Sequence, residues 1–200
     1  MQTVEELKSI LTLEQIEDNI FRGETYKTPW KRVYGGQVLG QSLQAAIATV
    51  PEDRLLHSMH AYFILTGDIE RSVLYIVDDI RDGGSFTTRR VRGVQHGRDI
   101  FIMSASFLID QDGGDHQVDA PQGPQPEELK TDAEQAEVFK DMFPSIYRQL
   151  TLPRPVEFRP VEPFNELYSG KHAPLRHVWM KAEGSKGENF GMHKAALAYA

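Results

Sequence analysis

From Val33 to Pro51 the sequence V-Y-G-G-Q-V-L-G-Q-S-L-Q-A-A-I-A-T-V-P carries no charge, though Lys31 and Arg32 precede it and Glu52 and Asp53 follow. Leu39, Leu43, Ala46, Ile47 and Val50 recur at helical spacing. Gln37, Gln41 and Gln44 add a second, uncharged polar stripe of the same period. A helix without a charged face has no side to turn to water, so this one is expected to be enclosed by other elements. Gly36 and Gly40, with Ser42, Ala45 and Ala48, keep it thin and are expected to let strands approach closely. Glycine and glutamine are too frequent in it for a membrane span. Pro51 sets its end, because the residue before a proline is biased out of helical geometry.

Around this helix the chain has room for one large domain or two small ones, with 200 residues, 40% of them apolar. A net charge of −7 argues against nucleic acid as the main partner, since phosphate neutralisation favours a basic surface. With no cysteine, disulfides, thiolate nucleophiles and zinc–sulfur sites are excluded. The first residues, M-Q-T-V-E-E-L-K-S-I-L, mix both charges and hold no apolar core of a secretory signal. The expected location is therefore cytoplasmic.

In chain order, Leu7, Ile10, Leu11, Leu13, Ile16 and Ile20 suggest a short amphipathic helix and a turn within residues 3–20, and Asn19 to Tyr26 a strand. Beyond the central helix four strand-like runs follow: Leu55–Leu65, Ser72–Arg81, Ser85–Gln95 and Ile100–Ile109. Asp82-Gly83-Gly84 and His96-Gly97 mark the turns between them. One enclosed helix followed by a strand meander predicts an α+β hot-dog fold. Nine of the eleven prolines lie beyond residue 120, and Asp110 to Pro126 reads as a surface linker. Glu127–Phe143 is expected to be one helix ended by Pro144. Val156–Val161 and His177–Glu183 read as strands, and Phe190–Ala200 as the start of another helix. The expected domains are 1–110, a linker with a helix over 111–153, and an incomplete second copy over 154–200.

Val33–Gln41, His57–Phe63 (H-S-M-H-A-Y-F), Arg81–Val91 (R-D-G-G-S-F-T-T-R-R-V) and Phe101–Phe107 (F-I-M-S-A-S-F) resemble the first hot-dog repeat of the acyl-CoA thioesterase II family. Val156–Glu162 and His177–Ala200 resemble the opening of that family's second repeat. The resemblance implies a tandem hot dog that hydrolyses acyl-CoA to a fatty acid and free coenzyme A. It also implies a catalytic water held by an aspartate, a threonine and a glutamine of the second repeat. These would lie after Ala200, so none is assigned to a position here. Homo-oligomerisation is expected, and a peroxisomal location if a C-terminal signal lies outside this chain.

Thioester hydrolysis needs an activated water and a stabiliser for the developing oxyanion, and a helix N-terminus supplies the second. Gly35, Gly36 and Gln37 are the candidate stretch: either a substrate-binding backbone with a catalytic amide, or a tight turn into a core helix. His57 and His60, three apart on a strand, are expected on opposite faces. His60 is the candidate general base, with a structural, hydrogen-bonded role as the alternative. Arg90 and Arg92 share a strand face within a local excess of arginine and are candidate contacts for the phosphates of coenzyme A. A solvated face or a dimer contact is the alternative. No histidine spacing suggests a metal site, and no cofactor is expected. No G-x-S-x-G elbow is present. Three functions remain open: the thioesterase, a non-catalytic hot-dog module binding acyl-CoA or a partner subunit, and a hydratase. The last lacks a paired Asp and His in Phe164–Tyr168.

Overall fold

The computed structural model describes residues 3–162, 174–182 and 190–200. They form two compact units, one within Glu5–Gly114 together with residues 190–200, the other within residues 115–182 together with residues 3–4.

In the first unit, helix α1 (Val4–Leu11) buries Leu7 and Leu11, an i, i+4 pair. Thr12 then closes on the Lys8 carbonyl through both its amide and its hydroxyl. The turn expected before residue 20 is a hairpin instead, of β1 (Glu14–Glu17) and β2 (Ile20–Gly23), with Asn19 at φ 59°. Helix α2 (Gly35–Ala48) follows, then β3 (Arg54–Phe63), β4 (Val73–Asp82), β5 (Phe86–Gln95) and β6 (Arg98–Ile109). The strands make one antiparallel sheet in the order β1-β2-β4-β5-β6-β3, leaving β3 at an edge.

Alternation along the strands sends Val73, Tyr75, Val91, Phe101, Met103 and Phe107 to the face that α2 covers, where Val38, Leu43 and Ala46 are also buried. The sheet wraps an enclosed helix, the hot-dog arrangement expected of this α+β chain. Its glycines serve a different neighbour from the one expected. A Cβ on Gly36 would lie 1.9 Å from the carbonyl oxygen of Tyr199, and one on Gly40 would lie 2.9 Å from that of Ala195. The close approach is made by helix α5 (Phe190–Tyr199), not by strands, because Gly36 and Gly40 lie one helical turn apart on one side of α2.

In the second unit Thr131 and Glu134 form a reciprocal capping box at the start of α3 (Asp132–Gln135). A 3-10 turn spans Ala136–Phe139, and α4 spans Pro144–Leu150. The single helix expected over 127–143 is thus broken, and Pro144 opens a helix instead of ending one. A proline at the first helical position forfeits only an amide that has no intrahelical partner. Strands β7 (Val156–Pro160) and β8 (Val178–Ala182) pair antiparallel. The Phe164–Tyr168 stretch lies outside the described residues, as does the last residue of the strand expected over His177–Glu183.

Candidate functional site

The first turn of α2 opens from Tyr34, whose extended backbone (φ −70°, ψ 131°) leaves no side-chain cap. No acidic residue stands in that turn. The Gln37 and Val38 amides fold back on the Tyr34 carbonyl, so the partial positive charge of the helix end is centred on the amides of Gly35 and Gly36. Each glycine has a close cover. The Phe63 ring stands 3.1 Å from where a Cβ on Gly35 would sit. The Tyr34 ring stands 2.6 Å from the same point on Gly36. Tyr199 packs edge-on against Tyr34 (centroids 5.1 Å apart), and its hydroxyl lies 3.2 Å from that of Tyr26. Burial raises the Tyr26 phenol above its ordinary pKa, so its hydroxyl remains protonated near neutral pH.

Gln37 points the other way, into the core, and is fully buried. Its amide nitrogen donates to the Glu24 carbonyl (2.9 Å) and to Gln41 Oε1 (3.3 Å). The Gln41 nitrogen in turn donates to the carbonyls of Ile10 (2.6 Å) and Glu24 (2.9 Å), while the Tyr75 hydroxyl donates to Gln41 Oε1 (2.7 Å). The carbonyls of Ile10 and Glu24 accept only, so both amide orientations are fixed. Burial holds the Tyr75 phenol well above its usual pKa and keeps it a donor. Within this network, Gln37 Oε1 finds no donor among the described residues. Neither Tyr75 nor the Tyr26–Tyr34–Tyr199 trio was foreseen from the sequence, since their contacts join positions far apart in the chain. The i, i+4 spacing of Gln37 and Gln41 was the one visible sign.

His60 lies on the far side of the sheet from α2. It pairs with Ser104 of β6, stacks edge-on with Tyr62 at 4.8 Å, and does not meet Gln37. The expectation that His57 and His60 face opposite ways is overturned. A bulge between Leu56 and Ser58 sets an extra residue against β6 and reverses the alternation. His57 therefore also faces outward, with Nε2 2.8 Å from the Ser106 hydroxyl.

The arginine cluster divides by strand parity. Arg89 turns inward and is 2% exposed, with Asp79 at 3.0 Å, Asp82 at 2.8 Å and the carbonyl of Thr49, which caps the end of α2, at 3.0 Å. Arg90 and Arg92 turn outward together, Arg90 to Asp78 at 2.9 Å and Arg92 to Asp99 at 3.3 Å. No cluster of three or more His, Asp or Glu side chains fit to hold a metal occurs among the described residues. The first turn of α2 can thus hold a carbonyl oxygen or an oxyanion, but among the described residues the side chains nearest it are aromatic rings and a buried amide, not a carboxylate or an imidazole.

Comparison with known proteins adds four likenesses. Residues 26–108 match the family model of the acyl-CoA thioesterase N-terminal domain. Human acyl-coenzyme A thioesterase 8 is 38% identical over 96% of this chain and 63% of its own length. Acyl-CoA thioesterase 2 of Haemophilus influenzae is 33% identical over 95% of this chain and 67% of its own. Among solved structures, an acyl-CoA thioesterase II from Mycobacterium marinum matches with a TM-score of 0.73 at 36% identity, covering 96% of this chain and 66% of that one. The chain spans less than two thirds of the human and mycobacterial relatives.

Proposed function

The chain belongs to the acyl-CoA thioesterase II family, and from that premise we propose that it takes part in the hydrolysis of fatty acyl-CoA to a fatty acid and coenzyme A. The observation that carries the reading is the uncapped Gly35-Gly36 turn of α2, a set of backbone donors at the positive end of a helix beside an apolar ring. In this proposal the thioester carbonyl rests on the amides of Gly35 and Gly36. Gln37 fixes the turn from within, while Arg90 and Arg92 lie with His60 on the outer face of the sheet and contact the phosphates of coenzyme A only where that group reaches around to this face. His60 is left as a base only for chemistry on the outer face.

The order of elements supports a tandem repeat, with a second copy beginning within 154–200. A β1–β2 hairpin precedes α2, and the antiparallel pair β7–β8 precedes α5. Apolar residues exposed where edge strand β3 ends, Tyr62, Phe63, Ile64 and Leu65, support association into a homo-oligomer. No described helix is long and apolar enough to cross a membrane.

A second reading, a hot-dog module that binds acyl-CoA without turning it over, is favoured by the lack of a carboxylate or imidazole among the described side chains nearest the α2 turn. Release of free thiol from decanoyl-CoA by this 200-residue chain separates the two. Turnover above the spontaneous rate carries the enzyme. Binding of a decanoyl-CoA thioether without turnover carries the module. Neither result would remove acyl-CoA as the ligand.

A further inference from the structure

We infer that Gln95 is a positioning residue for the acyl-CoA carbonyl, holding the β3–β4 loop so that the loop sets the amides of Gly35 and Gly36. This rests on the thioester carbonyl lying at the α2 turn, as proposed above. Gln95 ends β5 on the strand's inward side and is 5% exposed. Its side chain is directed wholly to one loop. Nε2 donates to the carbonyls of Asp68 (2.9 Å), Arg71 (2.7 Å) and, at 3.4 Å, Ser72, while Oε1 accepts from the Asp68 amide (2.8 Å). Carbonyls only accept and a backbone amide only donates, so the orientation of the Gln95 side chain is fixed.

Residues 64–72 join β3 to β4 without helix or strand, so their place depends on such bonds. The Ile64 and Leu65 amides both reach the Ile100 carbonyl, at 2.9 and 3.1 Å, and the Thr25 hydroxyl donates to the Ile69 carbonyl at 2.8 Å. The α2 turn meets this loop on two sides. Phe63, whose ring covers Gly35, is the residue from which the loop departs. The Gly67 carbonyl accepts from the Val33 amide at 3.1 Å, two residues before Gly35. Gly67 is buried, and a Cβ there would lie 2.9 Å from Val33 Cγ2 and 3.3 Å from Ile100 Cδ1. Loop and helix entry are therefore in direct contact. Asp68, which Gln95 grips by both amide and carbonyl, is the next residue after Gly67. A shift of Asp68 is passed through Gly67 to Val33 and so to the start of the helix. Donors to an oxyanion act only when closely placed, and a misplacement of about 1 Å costs on the order of a hundredfold in rate.

Two ligands that cannot be hydrolysed separate positioning from folding. One is a ketone analogue of decanoyl-CoA, in which methylene replaces the thioester sulfur; the other is S-decyl-CoA, which has no carbonyl. Their affinity ratio reads the carbonyl's contact alone, and a purely structural fault weakens both alike. The parent chain is expected to bind the ketone about tenfold more tightly. Gln95→Met keeps the length of the side chain and loses every bond to the loop, so it should bring the two affinities within about twofold. Gln95→Glu keeps an acceptor for the Asp68 amide but sets a carboxylate against the carbonyls. Near neutral pH its ratio should be as low as that of Gln95→Met. On acidification it should climb, because the introduced carboxyl group gains a proton to donate, while the ratio of Gln95→Met stays flat. If neither variant folds, as thermal midpoints would show, Gly67→Ala tests the same link from its other end by displacing Val33, and the same fall in ratio is expected. A parent chain that prefers the ketone, with variants that keep that preference or weaken both ligands equally, overturns the inference alone. A parent chain that binds the two alike, or binds neither, overturns the carbonyl site at the α2 turn and the role of Gln95 with it.

Discussion

The Arg89 guanidinium lies within 3.0 Å of Asp79 and Asp82 and is 2% exposed, while those two carboxylates are 45% and 60% exposed. It also holds the carbonyl and hydroxyl of Thr49 at the end of α2, where a cation favours the helix dipole. Arg89→Met leaves two carboxylates and a helix end without their cation. Because the carboxylates reach water, the expected loss is about 2 kcal/mol, below that of a wholly buried pair, read as a lower midpoint in urea unfolding. Glycine gives a sharper contrast. Gly36→Ala drives a methyl into the Tyr199 backbone 1.9 Å away, which cannot yield without moving α5. It should cost about 2 kcal/mol or more. Gly35→Ala meets only the exposed Phe63 ring, which can turn aside, and should change stability by less than about 1 kcal/mol. Equal costs in thermal melts of the two variants would show that α5 does not bear on Gly36.

At the scale of elements, β5 shows what alternation decides. Arg90 and Arg92 form only exposed pairs with Asp78 and Asp99, so Arg90→Ala and Arg92→Ala should each alter stability by less than about 1 kcal/mol. As phosphate contacts they should raise KM for acyl-CoA with kcat unchanged, and unaltered KM in both would remove them from the site. In the β7–β8 pair, Glu162 accepts from the Nδ1 and backbone amide of His177 at 2.7 and 2.6 Å. The side-chain bond, then the backbone bond, lowers its pKa. A carboxylate depressed on folding adds stability that is complete above its unfolded value, near 4.3, and is lost as pH falls through the folded value. In a Trp30→Phe background, Trp179 fluorescence should report an unfolding midpoint that drops on acidification, and Glu162→Gln should flatten that slope. The elements themselves were largely legible, because α2 keeps a helical period and long runs of β4 to β6 keep a strand's alternation within their own residues. Three features were not. The bulge that turns His57 outward, the partner of Gly36 and the burial of Arg89 are each set by residues distant in sequence. Proline was misread at Pro144, because its identity alone does not say whether a helix begins or ends there.

For the molecule as a whole, the decisive matter is which half of the chemistry this chain holds. In the proposed function it offers the amides of Gly35 and Gly36 as oxyanion donors. Among the described residues, the side chains nearest that turn are Tyr34, Phe63 and the buried Gln37, two aromatic rings and an amide and not a carboxylate or imidazole. His60 is divided from the turn by the sheet. Resemblance to the family assigns water activation to an aspartate, a threonine and a glutamine of the second repeat. A chimera joining this chain at Ala200 to the remaining part of the Haemophilus influenzae acyl-CoA thioesterase 2 should therefore release thiol from decanoyl-CoA at least about a hundredfold faster than this chain alone, the least expected from one general base. In that chimera Gly36→Ala should lower kcat, because in the proposed function the donors come from the residues described here. Equal rates for chimera and parent would place the base within these 200 residues. The outward histidines, His57 against Ser106 and His60 against Ser104, would then be the groups to replace first.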